Sequence, residues 1–360
     1  MEKFKSLPRQ TRSSIITYAL VIAAFAVMQG LSAVGAISNS MQGLLVPITA
    51  YICMSISLNL VVGFSGELSL GHAGFMSIGA FTGVVVSSAL SAGLSGPARL
   101  LVSIIVAGAI AGVAGVLIGI PVMRLRGDYL AIVTLAFGEI IKNLLNNLYV
   151  GFDGALHFSM KDTASLGMNG GKVLINGPQG AVGIEKLSSF TAGFLLVLFT
   201  LFVVTNLVDS RSGRAIMAVR DNRIAAESVG IDTTKYRLMA FVVAAALAGM
   251  AGALYAMNFS SIVPKKFDFN TSILILVFVV LGGMGNIRGG IISAALLTIL
   301  PEKLRFIGDF RMLIYAIVLI VVMLFSNNAQ VRMAIDGLRS RFAKDDDAAL
   351  DSAAEGGDAR

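Results

Sequence analysis

Tryptophan is absent from the 360 residues, cysteine occurs once, histidine twice and proline seven times. Charged side chains supply only 14% of the chain, against about 25% in an average soluble domain. Each shortage excludes a class. Cys53 stands alone in an apolar run, so no intrachain disulfide framework exists, and a lone cysteine in that setting reads as a small packing residue. With His72 and His157 as the two histidines, neither a Ser/His/Asp constellation nor a metal-ligand spacing emerges. Gly170-Gly171-Lys172-Val173 is not a phosphate-binding loop, because the first glycine is misplaced and valine follows the lysine. Polar side chains are too few to cover a globule, which excludes a soluble enzyme. A disordered scaffold needs low hydrophobicity and is excluded too.

Apolar residues fill 56% of the chain, and the mean hydropathy is +0.82. A spanning helix needs about 20 apolar residues. Ten stretches are candidates: 15–35, 41–63, 67–90, 98–122, 128–149, 189–208, 237–258, 270–286, 289–301 and 311–326. The expected fold is an all-α integral membrane protein, a polytopic helix bundle of about ten transmembrane segments. The ninth stretch is short, which leaves a broken or re-entrant helix open. Small residues recur at four-residue spacing in Gly79/Gly83, Gly108/Gly112, Gly115/Gly119 and Ala248/Gly252, which suits close helix crossings.

Lysine and arginine set the orientation. With the N-terminus inside, an even number of spans returns the C-terminus inside. The inner side then carries roughly twice the basic residues of the outer side, most clearly in the short loops. Tyr18, Tyr129, Tyr149, Tyr236 and Tyr255 fall near span ends, as interfacial aromatics do. The basic start (Lys3, Lys5, Arg9, Arg12) followed by an apolar stretch also resembles a signal peptide, but cleavage would leave nine spans and break the parity. The expected organisation is a cytoplasmic segment 1–14, a membrane bundle 15–326 and a cytoplasmic, largely disordered tail 327–360. Within the bundle, 150–188 forms an extracytoplasmic loop and 209–236 a cytoplasmic one. The net charge of +7 is absorbed by this topology and does not call for nucleic acid.

Three segments combine residues that carry chemistry. The stretch from Gly63 to Phe75 holds four glycines with Glu67, Ser69 and His72 at the start of a span. Ionisable groups at membrane depth are expensive and tend to line pathways. Alternatively, Glu67 caps the helix start and His72 hydrogen-bonds a neighbouring helix. Glu139 and Lys142, three apart within the fifth span, suit a pair on one helix face, structural or part of a proton relay. The most informative segment is 209–236. Asp221 or Asn222 suits an N-cap, and Ile224, Ala225, Ser228 and Val229 form one small apolar face. Gly230 suits the position just past the helix, and Asp232, Thr233 or Thr234 caps the next span. A short capped helix between spans, with a face too small to build a core, suits a groove on a partner or a bed of lipid headgroups.

In order, these motifs resemble the LivM-type permease subunits of branched-chain amino acid ABC importers, whose relatives include a urea importer permease. The matching stretches are Leu58 to Phe75, Leu125 to Glu139, Asn176-Gly177-Pro178-Gln179-Gly180, Gly213 to Gly230, and Leu281 to Gly290, spread over 41–326. The stretch 153–172 is longer and more irregular than the family pattern. The resemblance implies a transport subunit, not an enzyme, in a bacterial inner membrane. It implies a homologous permease subunit, two cytoplasmic ABC ATPases and an extracytoplasmic solute-binding protein as partners, with no cofactor in this chain because ATP is bound by the partner ATPases. It makes Arg214, Arg220, Asp221, Ala225, Ala226, Glu227 and Gly230 the coupling residues. Glu67, Ser69, His72 and Glu139 are the candidate pathway residues for a small solute. A urea-type permease or a self-sufficient ion-coupled carrier are the alternatives.

Overall fold

The computed structural model describes residues 9–35, 38–91, 93–125, 127–168 and 171–327. The outermost part of the expected N-terminal segment, 1–8, and the expected tail from 328 onward lie outside the described residues. The chain divides into two units, 1–299 and 300–360.

In the first unit, seven helices are long and apolar enough to cross a membrane, among the described residues. They are α1 (Arg9–Ala33), α2 (Asn39–Asn59, continued by a π turn, Leu60–Phe64), α3 (His72–Ala89), α4 (Gly96–Val122), α5 (Asp128–Asn146), α6 (Phe190–Asp209) and α9 (Thr233–Ala256). Two short helices, α7 (Arg211–Asp221) and α8 (Arg223–Ser228), join α6 to α9. The eighth to tenth candidate spans are the shorter helices α10 (Phe269–Gly282), α11 (Ile287–Lys303) and α12 (Arg311–Asn327). The 14 residues of α10 rise only about 21 Å, short of a hydrocarbon core of about 30 Å. The second unit holds the end of α11, a 3₁₀ stretch (Leu304–Phe310) and α12.

The core forms where helices are apolar on all sides. From Leu45 to Phe64, α2 is buried almost throughout. Helix α9 packs against both α3 and α4, and small residues allow this approach: a Cβ at Gly79 would land on the Gly249 backbone, one at Gly252 on the Met76 carbonyl, and one at Gly115 on the Ala245 side chain. Peripheral α1 rests on α6, where Phe25 stacks on Phe190 and Phe194 at ring distances of 5.1 and 3.9 Å and Tyr18 shares a 3.2 Å hydrogen bond with Thr205. The hairpin of α10 and α11 packs on α2. Gly285 N–H donates to Asn59 Oδ1 (2.9 Å), and Ser55 Oγ donates to the Gly290 carbonyl (3.1 Å).

The helical bundle is as expected, and the expected loop within it carries a little strand structure. The segment 150–188 contains strand structure: β1 (Tyr149–Phe152), β2 (Leu156–Ser159), β3 (Lys172–Asn176) and β4 (Ala181–Val182). The first three form an antiparallel sheet in the order β2-β1-β3, with Tyr149 opposite Ser159 and Asn176. β4 pairs with β5 (Ser261–Ile262). Backbone groups outside lipid can pair between strands instead of within one helix. The fifth span accordingly ends at Asn146, not 149, and Tyr149 begins a strand.

Candidate coupling segment and the polar cluster beneath it

The inter-span segment is built from local caps. Ser210 Oγ accepts from Gly213 N–H (3.1 Å) and starts α7. Of the two expected N-caps for α8, Asn222 serves: its Oδ1 accepts from Ala225 N–H at 3.0 Å. Gly230 ends the helix at φ +84°, a backbone conformation that a side chain disfavours. There, Gly230 N–H reaches the Glu227 carbonyl and Ile231 N–H the Ala226 carbonyl, both at 3.0 Å, which is the Schellman pattern. Asp232 then caps α9 through Lys235 N–H (3.0 Å).

This leaves the expected apolar face open. Ile224 is 78% exposed and Val229 76%, with Ala225 and Ser228 exposed beside them. Ala226 is buried instead. Glu227 turns back: its Oε1 accepts from Arg223 Nε (2.8 Å) and from Thr233 Oγ1 on α9 (2.9 Å). Arg214 Nη1 donates to the Asp209 carbonyl (3.1 Å). Arg220 reaches furthest. Its Nη1 donates to the Gly63 carbonyl at 2.9 Å, while Nε and Nη2 hold Asp221 Oδ1 at 3.0 and 2.9 Å. Arg220 therefore ties the segment to the end of the π turn in α2.

The Gly63-to-Phe75 stretch differs from expectation. Glu67 does not cap a helix, because α3 begins only at His72 and residues 66–71 carry no helical structure. The side chain of Glu67 is instead paired with Arg237 of α9, and both residues are more than nine-tenths buried. Arg237 Nη1 also donates to the Met123 carbonyl (3.1 Å). His72 Nε2 and Ser57 Oγ of α2 share a 2.8 Å hydrogen bond, the neighbouring-helix contact expected of this histidine. Ser69 is buried, and its Oγ has no partner. Glu139 pairs with Lys142 on the same face of α5, partly exposed. Sequence reading passes over Arg237 and Ser57; the usable signal was an arginine as the first residue of the seventh candidate stretch, 237–258. No group of three or more metal-ligating side chains occurs among the described residues.

A helical bundle with many membrane-crossing segments, interrupted by one capped helix pair that is tied back to its core, defines a polytopic membrane permease. Residues 40–325 match the family described as branched-chain amino acid transport system / permease component, and the chain belongs to that family. It is 37% identical over 237 residues to the high-affinity branched-chain amino acid transport system permease protein LivM of Salmonella typhimurium, covering 63% of this chain and 54% of the relative. The Escherichia coli LivM protein is 36% identical over the same length and coverage. A probable branched-chain amino acid transport permease protein LivM of Methanocaldococcus jannaschii is 23% identical over 248 residues, 60% of this chain and 67% of the relative. The chain thus spans about half the length of the two bacterial relatives. No solved structure matches it.

Proposed function

We propose that this chain is the membrane-spanning subunit of an ATP-driven importer of branched-chain amino acids in a bacterial inner membrane, with both termini in the cytoplasm. A homologous permease subunit completes the pathway. Two cytoplasmic ABC ATPases bind the ATP, and an extracytoplasmic binding protein delivers the solute. The chain itself carries out no catalysis and holds no cofactor. The observation that carries this reading is α8: six residues capped at both ends, with Ile224 and Val229 held open to solvent. Its fixed shape suits a groove on an ATPase. Closure of the ATPases pulls on α8, and Arg220 and Glu227 pass the displacement to α2 and α9 in an alternating-access cycle. Glu67, Ser69 and His72 lie near the inner end of the route.

The test is uptake into proteoliposomes containing the reconstituted subunits. Leucine import that requires binding protein and ATP, and that stops when the ATPase Walker lysine is replaced, supports the reading. Urea import without leucine import moves the assignment to a urea-type permease. Uptake that persists with disabled ATPases and follows an ion gradient would overturn it in favour of an ion-coupled carrier.

A further inference from the structure

A cavity of about 390 Å³ opens beside the Glu67–Arg237 pair, between the 65–68 stretch and helices α7 and α8. This volume falls within the range of small-molecule sites. Two oxygens on its wall are buried and without a partner, Glu67 Oε2 and Ser65 Oγ. Glu67 is 8% exposed and Ser65 4%. A buried carboxylate oxygen left unbonded is costly, and the group that satisfies it is a donor. An ammonium, with three N–H groups and a positive charge, supplies donors of this kind.

The cavity is cationic as well, with Arg237 in contact with Glu67 itself. Arg220, Arg223 and Arg237 line it. Arg223 spends only Nε, on Glu227, and Arg237 spends Nε and Nη1, on Glu67 and the Met123 carbonyl. The remaining guanidinium N–H groups of Arg223 and Arg237 have no bond to the described residues, and such planar forks suit a carboxylate. Leu68, Leu130 and Val219 supply an aliphatic wall. A simple cation meets three arginines here, and a simple anion leaves Glu67 unsatisfied. A ligand carrying ammonium and carboxylate on one carbon, with a branched aliphatic side chain, meets all three surfaces.

We propose that this cavity binds a free aliphatic α-amino acid on the face of the bundle that carries the coupling segment. The inference rests on the importer reading for the solute and for the side of the membrane, and it adds a product site within the permease itself. Arg220 and Arg223 belong to α7 and α8, whereas Glu67, Leu130 and Arg237 belong to the bundle. A bound amino acid bridges the two and opposes their movement, so released product slows the cycle.

The experiment uses the complete complex in nanodiscs without the binding protein and measures L-leucine binding by equilibrium dialysis. Competitors are 4-methylpentanoate, which lacks the ammonium, 3-methylbutylamine, which lacks the carboxylate, and phosphoethanolamine, which represents a lipid headgroup. Saturable leucine binding is expected, with each competitor weaker by about tenfold or more, equivalent to about 1.4 kcal/mol. Arg223→Gln should weaken leucine binding similarly. Leu130→Trp, which fills the cavity without removing a charge, should abolish it and should also abolish leucine inhibition of ATP hydrolysis. A complex that imports leucine with its binding protein yet shows no saturable binding without it refutes the site alone. Equal competition by phosphoethanolamine or 4-methylpentanoate also refutes it. A complex that binds leucine but imports none counts against the importer reading instead.

Discussion

Cutting the Glu67–Arg237 pair from its two sides should give unequal losses. Both residues are more than nine-tenths buried, and Glu67 Oε2 already has no partner. Arg237→Met leaves the carboxylate buried with neither oxygen paired. Removing one partner of a buried pair in this way costs about 3–5 kcal/mol. Glu67→Gln keeps a carbonyl to accept from Arg237 Nε, and the guanidinium retains its 3.1 Å bond to Met123. The loss then approaches that of one charged hydrogen bond, about 1–3 kcal/mol. The double variant carries neither charge, so its loss should fall short of the sum. We expect a coupling energy of about 2 kcal/mol, within the range for residues in one network. Reversible unfolding of the purified chain in mixed detergent and SDS micelles reads these differences directly. Losses that add within about 0.5 kcal/mol, the tolerance for independent sites, would refute the claim that the pair holds the 65–71 stretch against α9.

Other outcomes follow from the segment of α7 and α8 and from α5. Gly230→Ala meets no atom within 4 Å, so its loss is purely conformational, about 1–2 kcal/mol for a side chain at positive φ. Gly230→Pro also removes the N–H bonded to Glu227 and should uncouple ATP hydrolysis from transport while membrane insertion, followed by protease protection, stays intact. Ile224→Cys should react with a membrane-impermeant maleimide only from the cytoplasmic side; position 226 is unsuitable because Ala226 is buried. Labelling of Ile224→Cys from outside intact cells would sink the assigned topology. Lys142→Met should lower stability by more than about 1 kcal/mol, since it leaves the Glu139 carboxylate within the fifth span without its partner. A loss under about 0.5 kcal/mol in the same micelle unfolding experiment would refute the placement of this pair within the span.

Local features were the legible ones. Asn222, Gly230 and Asp232 delimit α8 and start α9 through bonds that reach no further than five residues, so their residue types announce their positions. The four-residue spacing of small residues likewise anticipated the crossings of α3 and α4 with α9. The strands within 150–188 were not legible. Their segments are only two to five residues long, and β4 pairs with β5 some 80 positions away. The capping alternative for Glu67 failed for the same reason: its partner lies 170 residues along the chain.

Composition and periodicity alone determined that the chain is a polytopic helical membrane protein, because lipid offers the backbone no partners and every long apolar run must satisfy itself as a helix. Local residue types determined the short helix α8 too, since its caps are near neighbours in sequence. Only the tertiary structure decided which buried charges meet, where α2 passes into its π turn and how Arg220 reaches Gly63. These depend on the packing of separate helices, and a chain position carries no record of which distant residue will stand opposite it.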